Sequence, residues 1–231
     1  MDKLTSLSET NRPIPWTVVD IVLGLIIWGM LLLGLVLLIH LFSLPIDSSI
    51  VIIVGEMTLL IPVWYFTIHK YGVDWADLGF CTFNPSVLSI GCGMMILFFI
   101  FYLAYASLLA FFNLQTQPGL DKIFDDTATP FLLFFGGAVV APFVEETFFR
   151  GFVFVGLRNR WGWQWAVIVS SVLFALVHVV PTSFIPIFFL GLIFALITHI
   201  SGSIWPAVLI HTLNNSMALS LVYINSFNLL Q

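Results

Sequence analysis

Apolar runs as long as a bilayer is thick recur through this chain, and nothing constrains its fold more. A helix needs about 20 apolar residues to cross the roughly 30 Å hydrocarbon layer. Seven segments come near that length or exceed it: residues 16–42, 48–69, 85–112, 130–157, 162–180, 183–199 and 203–223. An outer-membrane barrel would instead show short alternating segments of about ten residues. Only 8% of the chain is charged and 60% is hydrophobic, whereas a soluble domain carries about 25% charged residues. The reading is an all-α membrane protein, a polytopic bundle in one domain with short loops. Its lipid-bilayer setting follows from the same runs.

Residues 1–15 form a polar N-terminal tail of mixed charge. The run behind them is too long for a signal-peptide core and lacks a small-residue cleavage site, so it reads as a retained first span. Residues 16–130 hold N-terminal spans, 131–223 hold the helices rich in buried polar groups, and 224–231 form a C-terminal tail. Basic residues set the orientation. Lys3, Arg12, Lys70, Arg158 and Arg160 fall on one side, against Lys122 beside Asp121, Asp125 and Asp126 on the other. This bias predicts a cytoplasmic N-terminus. Trp16, Trp75, Trp161, Trp163, Trp165 and Trp205 lie near span ends, where amphipathic rings settle at the interface. The net charge of −5 argues against nucleic acid as a partner. Cys81 and Cys92 have neither metal spacing nor a disulfide framework and read as packing residues.

The fourth segment breaks the apolar rule. Between Phe131 and Val155 it carries Glu145, Glu146 and Arg150. Each ionisable side chain at mid-membrane costs roughly 2.5–3.5 kcal/mol even on the lenient insertion scale, so such groups face protein or a wet cavity. Residues four apart share a helix face while neighbours diverge by about 100°. Glu146 therefore pairs with Arg150, and Glu145 points elsewhere. That division suits one structural carboxylate and one general base, with a purely structural charge cluster as the plainer alternative.

Two further groups follow. Phe174-x-x-x-His178 closes the fifth segment, and His211-x-x-x-Asn215 sits in the seventh. A lone intramembrane histidine is most often interhelical glue. His211 and Asn215, by contrast, share a face and aim two donors at one point, which suits an oxyanion or a bound carbonyl. Counted from the cytoplasmic boundary, Glu145 lies about 20 Å deep, His178 about 25 Å and His211 about 12 Å. Helix tilt can bring such depths together. Asp20, His40, His69 and His199 fall near span ends and read as interfacial. Glu56, inside the second segment, has no partner nearby in sequence; it reads as supporting the site or lining a water pocket.

Glu145-Glu146-Thr147-Phe148-Phe149-Arg150, then Phe174-Ala175-Leu176-Val177-His178, then His211-Thr212-Leu213-Asn214-Asn215 resemble, in that order, the three motifs of the CPBP intramembrane proteases. This group includes the type II CAAX-prenyl endopeptidases and was formerly called the Abi family. Gly202-Ser203-Ile204-Trp205-Pro206 is similar to the family's lead-in to the third motif. The resemblance covers about 131–217 and marks 131–223 as CPBP-like catalytic helices. Members often have eight helices, so it implies a bundle of about seven to eight. It also implies an intramembrane endopeptidase acting on membrane-embedded or lipidated substrates, among them prenylated CAAX-type proteins.

Carried over, the catalytic set is Glu145, His178, His211 and Asn215. Glu145 would activate a water and be held with His178, while His211 and Asn215 would stabilise the oxyanion. Glu146, Arg150 and Phe174 would support them. The family is described both as metalloproteases and as metal-independent glutamate proteases. A divalent metal such as zinc would draw on His178, His211 and a glutamate, although the His-Glu-x-x-His pattern is absent. The reading favours no obligatory metal. Two rival classes are a proton-coupled transporter using the same carboxylates and a non-catalytic membrane scaffold or immunity protein.

Overall fold

The structure, a computed structural model, describes residues 14–116, 124 and 127–226. The polar tail with Lys3 and Arg12, the loop charges Asp121, Lys122, Asp125 and Asp126, and most of the C-terminal tail lie outside the described residues. Six helical runs are long and apolar enough to cross a membrane: α1 (Val18–Leu41), α2 (Ser48–His69), α3 (Ser86–Phe111), α4 (Pro130–Val177), α5 (Pro181–Ser201) and α6 (Trp205–Ser226). The chain is an all-helical membrane protein, and no strand occurs among the described residues.

The seven predicted segments become six runs because the fourth and fifth are joined. At 48 residues, α4 would measure roughly 72 Å if straight, more than twice the hydrocarbon thickness. It is not straight. Gly162, at φ 79° and ψ 164°, breaks it, and the second limb folds back so that the ring of Phe174 lies 5.1 Å from that of Phe149. The six runs are near the seven to eight helices expected. The fifth and sixth segments, separated only by Pro181-Thr182, form a tight hairpin. There the chain turns through Val179 in the left-handed region and a short 3₁₀ turn at Pro181–Ser183. α5 then packs so closely on α4 that a Cβ at Gly191 would lie 2.9 Å from that of Ser171.

α4 is the hub. α1 and α3 turn most of their length outward, exposing Val19, Ile26, Leu33 and Val36 on one and Ile96, Leu97, Ile100 and Leu103 on the other. In hydrocarbon such surfaces need no protein cover. In α4 all eight residues of Thr147–Phe154 are buried, and they wind as a π-helix. A helix buried all round belongs at the centre of a bundle. Phe148, Phe149, Phe152 and Phe154 build a core there with Val63, Phe66, Leu78 and Phe174. A second core, including Met95, Phe98, Phe194 and Ile210, joins α3, α5 and α6.

Two residues expected at the interface are interior instead. Trp16 is buried, and its indole Nε1 donates to the Phe152 carbonyl at 3.0 Å. The other five tryptophans expected at the interface are exposed, as interfacial rings should be. Asp20 is also buried rather than interfacial. It closes a capping box with Thr17 at the start of α1 and accepts from Lys70 Nζ at 2.6 Å and from the Tyr71 hydroxyl at 3.0 Å. It thus ties α1 to the end of α2. Both cysteines are free. Cys92 is exposed, and the Cys81 thiol donates to the Gly202 carbonyl at 3.2 Å.

Asp47 caps α2 and clamps the start of α4. Its carboxylate accepts from the Ser49 hydroxyl and N–H, the Thr127 hydroxyl (2.8 Å), the Ala128 N–H (2.7 Å) and the Thr129 hydroxyl (3.1 Å). The Ser49 hydroxyl first, then the Ala128 N–H and the Thr127 hydroxyl, hold this carboxyl well below the usual carboxylate range. A depressed folded value gives stability that is full at neutral pH and starts to fall below about pH 4, where the unfolded carboxyl protonates. Asp47→Ala is therefore less thermostable than wild type in detergent at pH 7, and the gap begins to narrow on acidification below about pH 4.

Gly162 gives a second test. Its conformation is one that only glycine adopts without strain, so Gly162→Ala costs about 1–3 kcal/mol, although the nearest atom to the new Cβ is 3.5 Å away. Gly29→Ala, in open space on α1, is neutral or stabilising by about 0.5–1 kcal/mol. Thermal unfolding of the two variants side by side separates backbone strain from a general intolerance of added methyls.

Candidate active site

The first limb of α4 changes winding around the motif. Residues Gly136–Val140 and Thr147–Phe154 are π-helical, and the α-helical turn Ala141–Glu146 lies between them. π turns inside α-helices are frequent at functional sites, because the wider turn re-aims side chains. Here they flank the glutamates and set Glu145, Glu146 and Arg150 inward, all three buried.

Glu146 and Arg150 pair as the spacing predicts, with Nε 3.0 Å from Oε2 and neither side chain exposed. The N–H does not aim at that oxygen, so this is an ion pair rather than a formal hydrogen bond. The guanidinium finds further partners on other limbs. Its Nη2 donates to the Gly191 carbonyl at 3.1 Å, and its carbon lies 4.5 Å from the ring centre of Phe174 and 5.3 Å from that of Phe194. A desolvated cation between aromatic faces gains about 2 kcal/mol.

The other oxygen of Glu146 reaches across to α6, where Oε1 lies 2.8 Å from His211 Nδ1. With Arg150 holding Glu146 as a carboxylate, that nitrogen is the donor. The imidazole therefore presents Nε2 to Glu145, whose Oε2 is 3.6 Å away. Both glutamates converge on one ring, each at its own nitrogen. Phe194 stacks on the same ring, at 4.5 Å between centroids and 22° between planes, and Phe174 meets it edge-on at 5.9 Å. Glu145 Oε2 is a buried acceptor with no hydrogen-bond partner in the protein.

His178 stands one ring away. Its Nδ1 lies 2.7 Å from the Phe174 carbonyl; a carbonyl can only accept, so Nδ1 carries the proton and the neutral ring offers a lone pair at Nε2. Among the described residues it makes no hydrogen bond or ion pair to Glu145, and the imidazole next to Glu145 is His211. Asn215 lies on the His211 face of α6. Its Nδ2 donates to the Gly137 carbonyl at 3.0 Å, and its Oδ1 accepts from Asn214 at 3.1 Å. The second amide proton of Asn215 is left for a ligand.

Among the described residues, no three His, Cys, Asp or Glu side chains converge as a metal-binding group. The set a zinc ion would draw on, His178, His211 and a glutamate, does not fit one as placed, and no step below passes through a metal.

Residues 127–217 match a family model described as Rce1-like, type II CAAX prenyl endopeptidase. This agrees with the CPBP resemblance and supports a protease of the CAAX-type intramembrane family, while the apolar helices make the chain an integral membrane protein. No curated protein and no solved structure matches it. The Rce1-like segment opens at Thr127 in the Asp47 clamp and closes two residues after Asn215. It contains all three motifs.

Three partners of the site had no signal in the motifs: Phe194, the Gly191 carbonyl and the Gly137 carbonyl. Phe194 is one phenylalanine among 24, and backbone carbonyls leave no trace in side-chain identity.

Removing one partner of a buried ion pair leaves the other uncompensated, at about 3–5 kcal/mol. Arg150→Met leaves Glu146 in that state, and Arg150→Lys cannot reproduce the planar stack between Phe174 and Phe194. Both variants should unfold well below wild type in detergent melts, with Arg150→Met the lower. Unchanged melting of Arg150→Met would contradict the assigned role.

Proposed function

We propose that this protein is an intramembrane endopeptidase that hydrolyses peptide bonds of membrane-embedded or lipidated substrates, prenylated CAAX-type proteins among them, with a water activated by Glu145. One observation carries the reading: Glu145 Oε2 is buried and unpartnered, while its neighbour Glu146 is fixed by Arg150 and His211. A structural carboxylate in this setting would be satisfied by protein donors. An unpartnered one beside an imidazole suits a group that exchanges protons with water.

The steps follow from the donors and acceptors. Glu145 takes a proton from water as the oxygen attacks the scissile carbonyl carbon. The negative charge that develops on the carbonyl oxygen is met by the free N–H of Asn215 and by His211 in its doubly protonated form, which donates Nδ1–H to Glu146 and Nε2–H to the oxyanion. Glu145 then returns its proton to the departing amide nitrogen as the C–N bond breaks. The lone pair of His178 Nε2 offers a second acceptor for the water. Arg150 and Phe174 keep Glu146 and His211 in register. General-base action contributes about 10²–10⁴ in rate, and an oxyanion donor about 10²–10³.

The bias of basic residues supports a cytoplasmic N-terminus. Arg158 and Arg160, beside the Gly162 turn, would then lie on the cytoplasmic side.

The test compares peptide termini in membranes of host cells expressing wild type, Glu145→Gln or Asn215→Ala at equal insertion. New termini with wild type, none with Glu145→Gln and about 10²–10³-fold slower appearance with Asn215→Ala are expected. Termini that persist with Glu145→Gln would remove Glu145 from the chemistry. Identical termini throughout would favour a transporter or a scaffold over a protease.

A further inference from the structure

Glu56 lies outside the Rce1-like segment, in the middle of α2. Its Oε2 is buried without a hydrogen-bond partner in the protein. α2 runs alongside the first limb of α4 in the same direction, its early residues against 130–146 and its later ones against 147–154. The contact of Ile53 with Gly136 fixes the register. Three residues further along both helices, Glu56 comes level with Val139, next to Gly137, whose carbonyl holds Asn215.

Glu145 is six residues beyond Val139, at most about 9 Å along the axis at α-helical rise. Helical side chains lean toward the N-terminus, which carries the Glu145 carboxylate back towards the layer of Glu56. The two carboxylates are near enough for their charges to act on one another. α1 closes the same layer from outside. Gly24 meets Pro62 and Leu32 meets Gly55, so Trp28, midway between them, is level with residues 58 and 59. Its indole Nε1 is a buried donor without a partner.

Two unpartnered acceptors and one unpartnered donor thus occupy adjoining layers. Carboxylate oxygens cannot satisfy each other, and each needs a donor. Water supplies two, and a buried water is stable where it finds two to four polar partners. We infer that Glu56 is a positioning residue, which shares bound water with Glu145 and so orients the nucleophile from outside the Rce1-like segment. This rests on the hydrolytic reading of the site for its role, though not for the shared water itself.

The test uses the full chain in phosphatidylcholine bilayers as wild type, Glu56→Gln, Glu56→Leu and Glu145→Gln. Infrared spectra in ordinary and heavy-oxygen water read the O–H stretch of tightly bound water. Wild type should show an isotope-shifted band that Glu145→Gln and Glu56→Leu both displace or abolish. A missing wild-type band, or one untouched by Glu56→Leu, overturns the inference. In host membranes, Glu56→Leu should slow the appearance of new peptide termini about tenfold or more, as a misplaced nucleophile does, without lowering thermal stability. Glu56→Gln, which keeps an acceptor oxygen, should recover most of the rate. A rate unchanged by Glu56→Leu also overturns the inference. If wild type forms no termini at all, the protease reading fails, and the infrared comparison alone decides whether the two glutamates share water.

Discussion

A fully buried arginine is the constraint around which this membrane protein is organised. Arg150 lies at zero exposure in the middle of an apolar bundle, where the cost of a bare charge far exceeds any single packing gain. The structure meets it with one carboxylate, one backbone carbonyl and two aromatic faces, from three different limbs. Each partner fixes a neighbour in turn. Glu146 engages His211, which places α6. The Gly191 carbonyl is reachable because α5 presses against Ser171 on the second limb of α4 with no side chain between. Phe174 comes within range only because the chain reverses at Gly162. Breaking the pair with Glu146 strands a charge, so the cluster specifies how four limbs meet more sharply than apolar packing could in a solvent as apolar as the core.

The same cluster separates the two adjacent glutamates into different chemical states. Glu146 is enclosed by a cation and an imidazole, whereas Glu145, one residue away, receives no protein donor at Oε2. An α-helix alone would point them about 100° apart. The π turns on both sides decide where those directions lead, since the wider winding brings Thr147–Phe154 wholly into the interior. One carboxylate is held by partners on other elements, and the other is left without a donor at Oε2. His211 links them, with its two nitrogens facing different glutamates.

Spans and motifs were legible in the sequence because hydrophobicity reports depth and i, i+4 spacing reports a shared face. The Glu146–Arg150 pair and the shared face of His211 and Asn215 both follow from the i, i+4 spacing. Helix rotation does not. Nothing in the run around Glu145 says that His211, rather than His178, is the imidazole beside it, since that depends on how α6 is turned about its axis. Trp16 and Asp20 were misplaced for a related reason. Both sit at a span end, where composition cannot distinguish a residue facing headgroups from one facing Phe152 or Lys70. Gly162 was hidden as well, since glycine is common in membrane helices and only the reversal of the chain shows that this one adopts a conformation closed to other residues.

Where the Rce1-like segment begins bears on how the site is completed. Its first residue is held by Asp47, which also caps α2. One carboxylate therefore fixes the axial register between a helix inside the matched segment and one outside it. That register governs where Glu56 falls. A slip of one residue would move it by about 1.5 Å along the axis and turn it by 100°, enough to carry its carboxylate out of the space it shares with Glu145. The clamp is more than 10 Å from the glutamates along the helix and touches none of them, yet it sets the distance between the carboxylate within the motif and the one beyond it. A site assembled this way needs the N-terminal helices as more than lipid-facing scaffolding: α1 and α2 close the polar layer from the side that the motifs leave open.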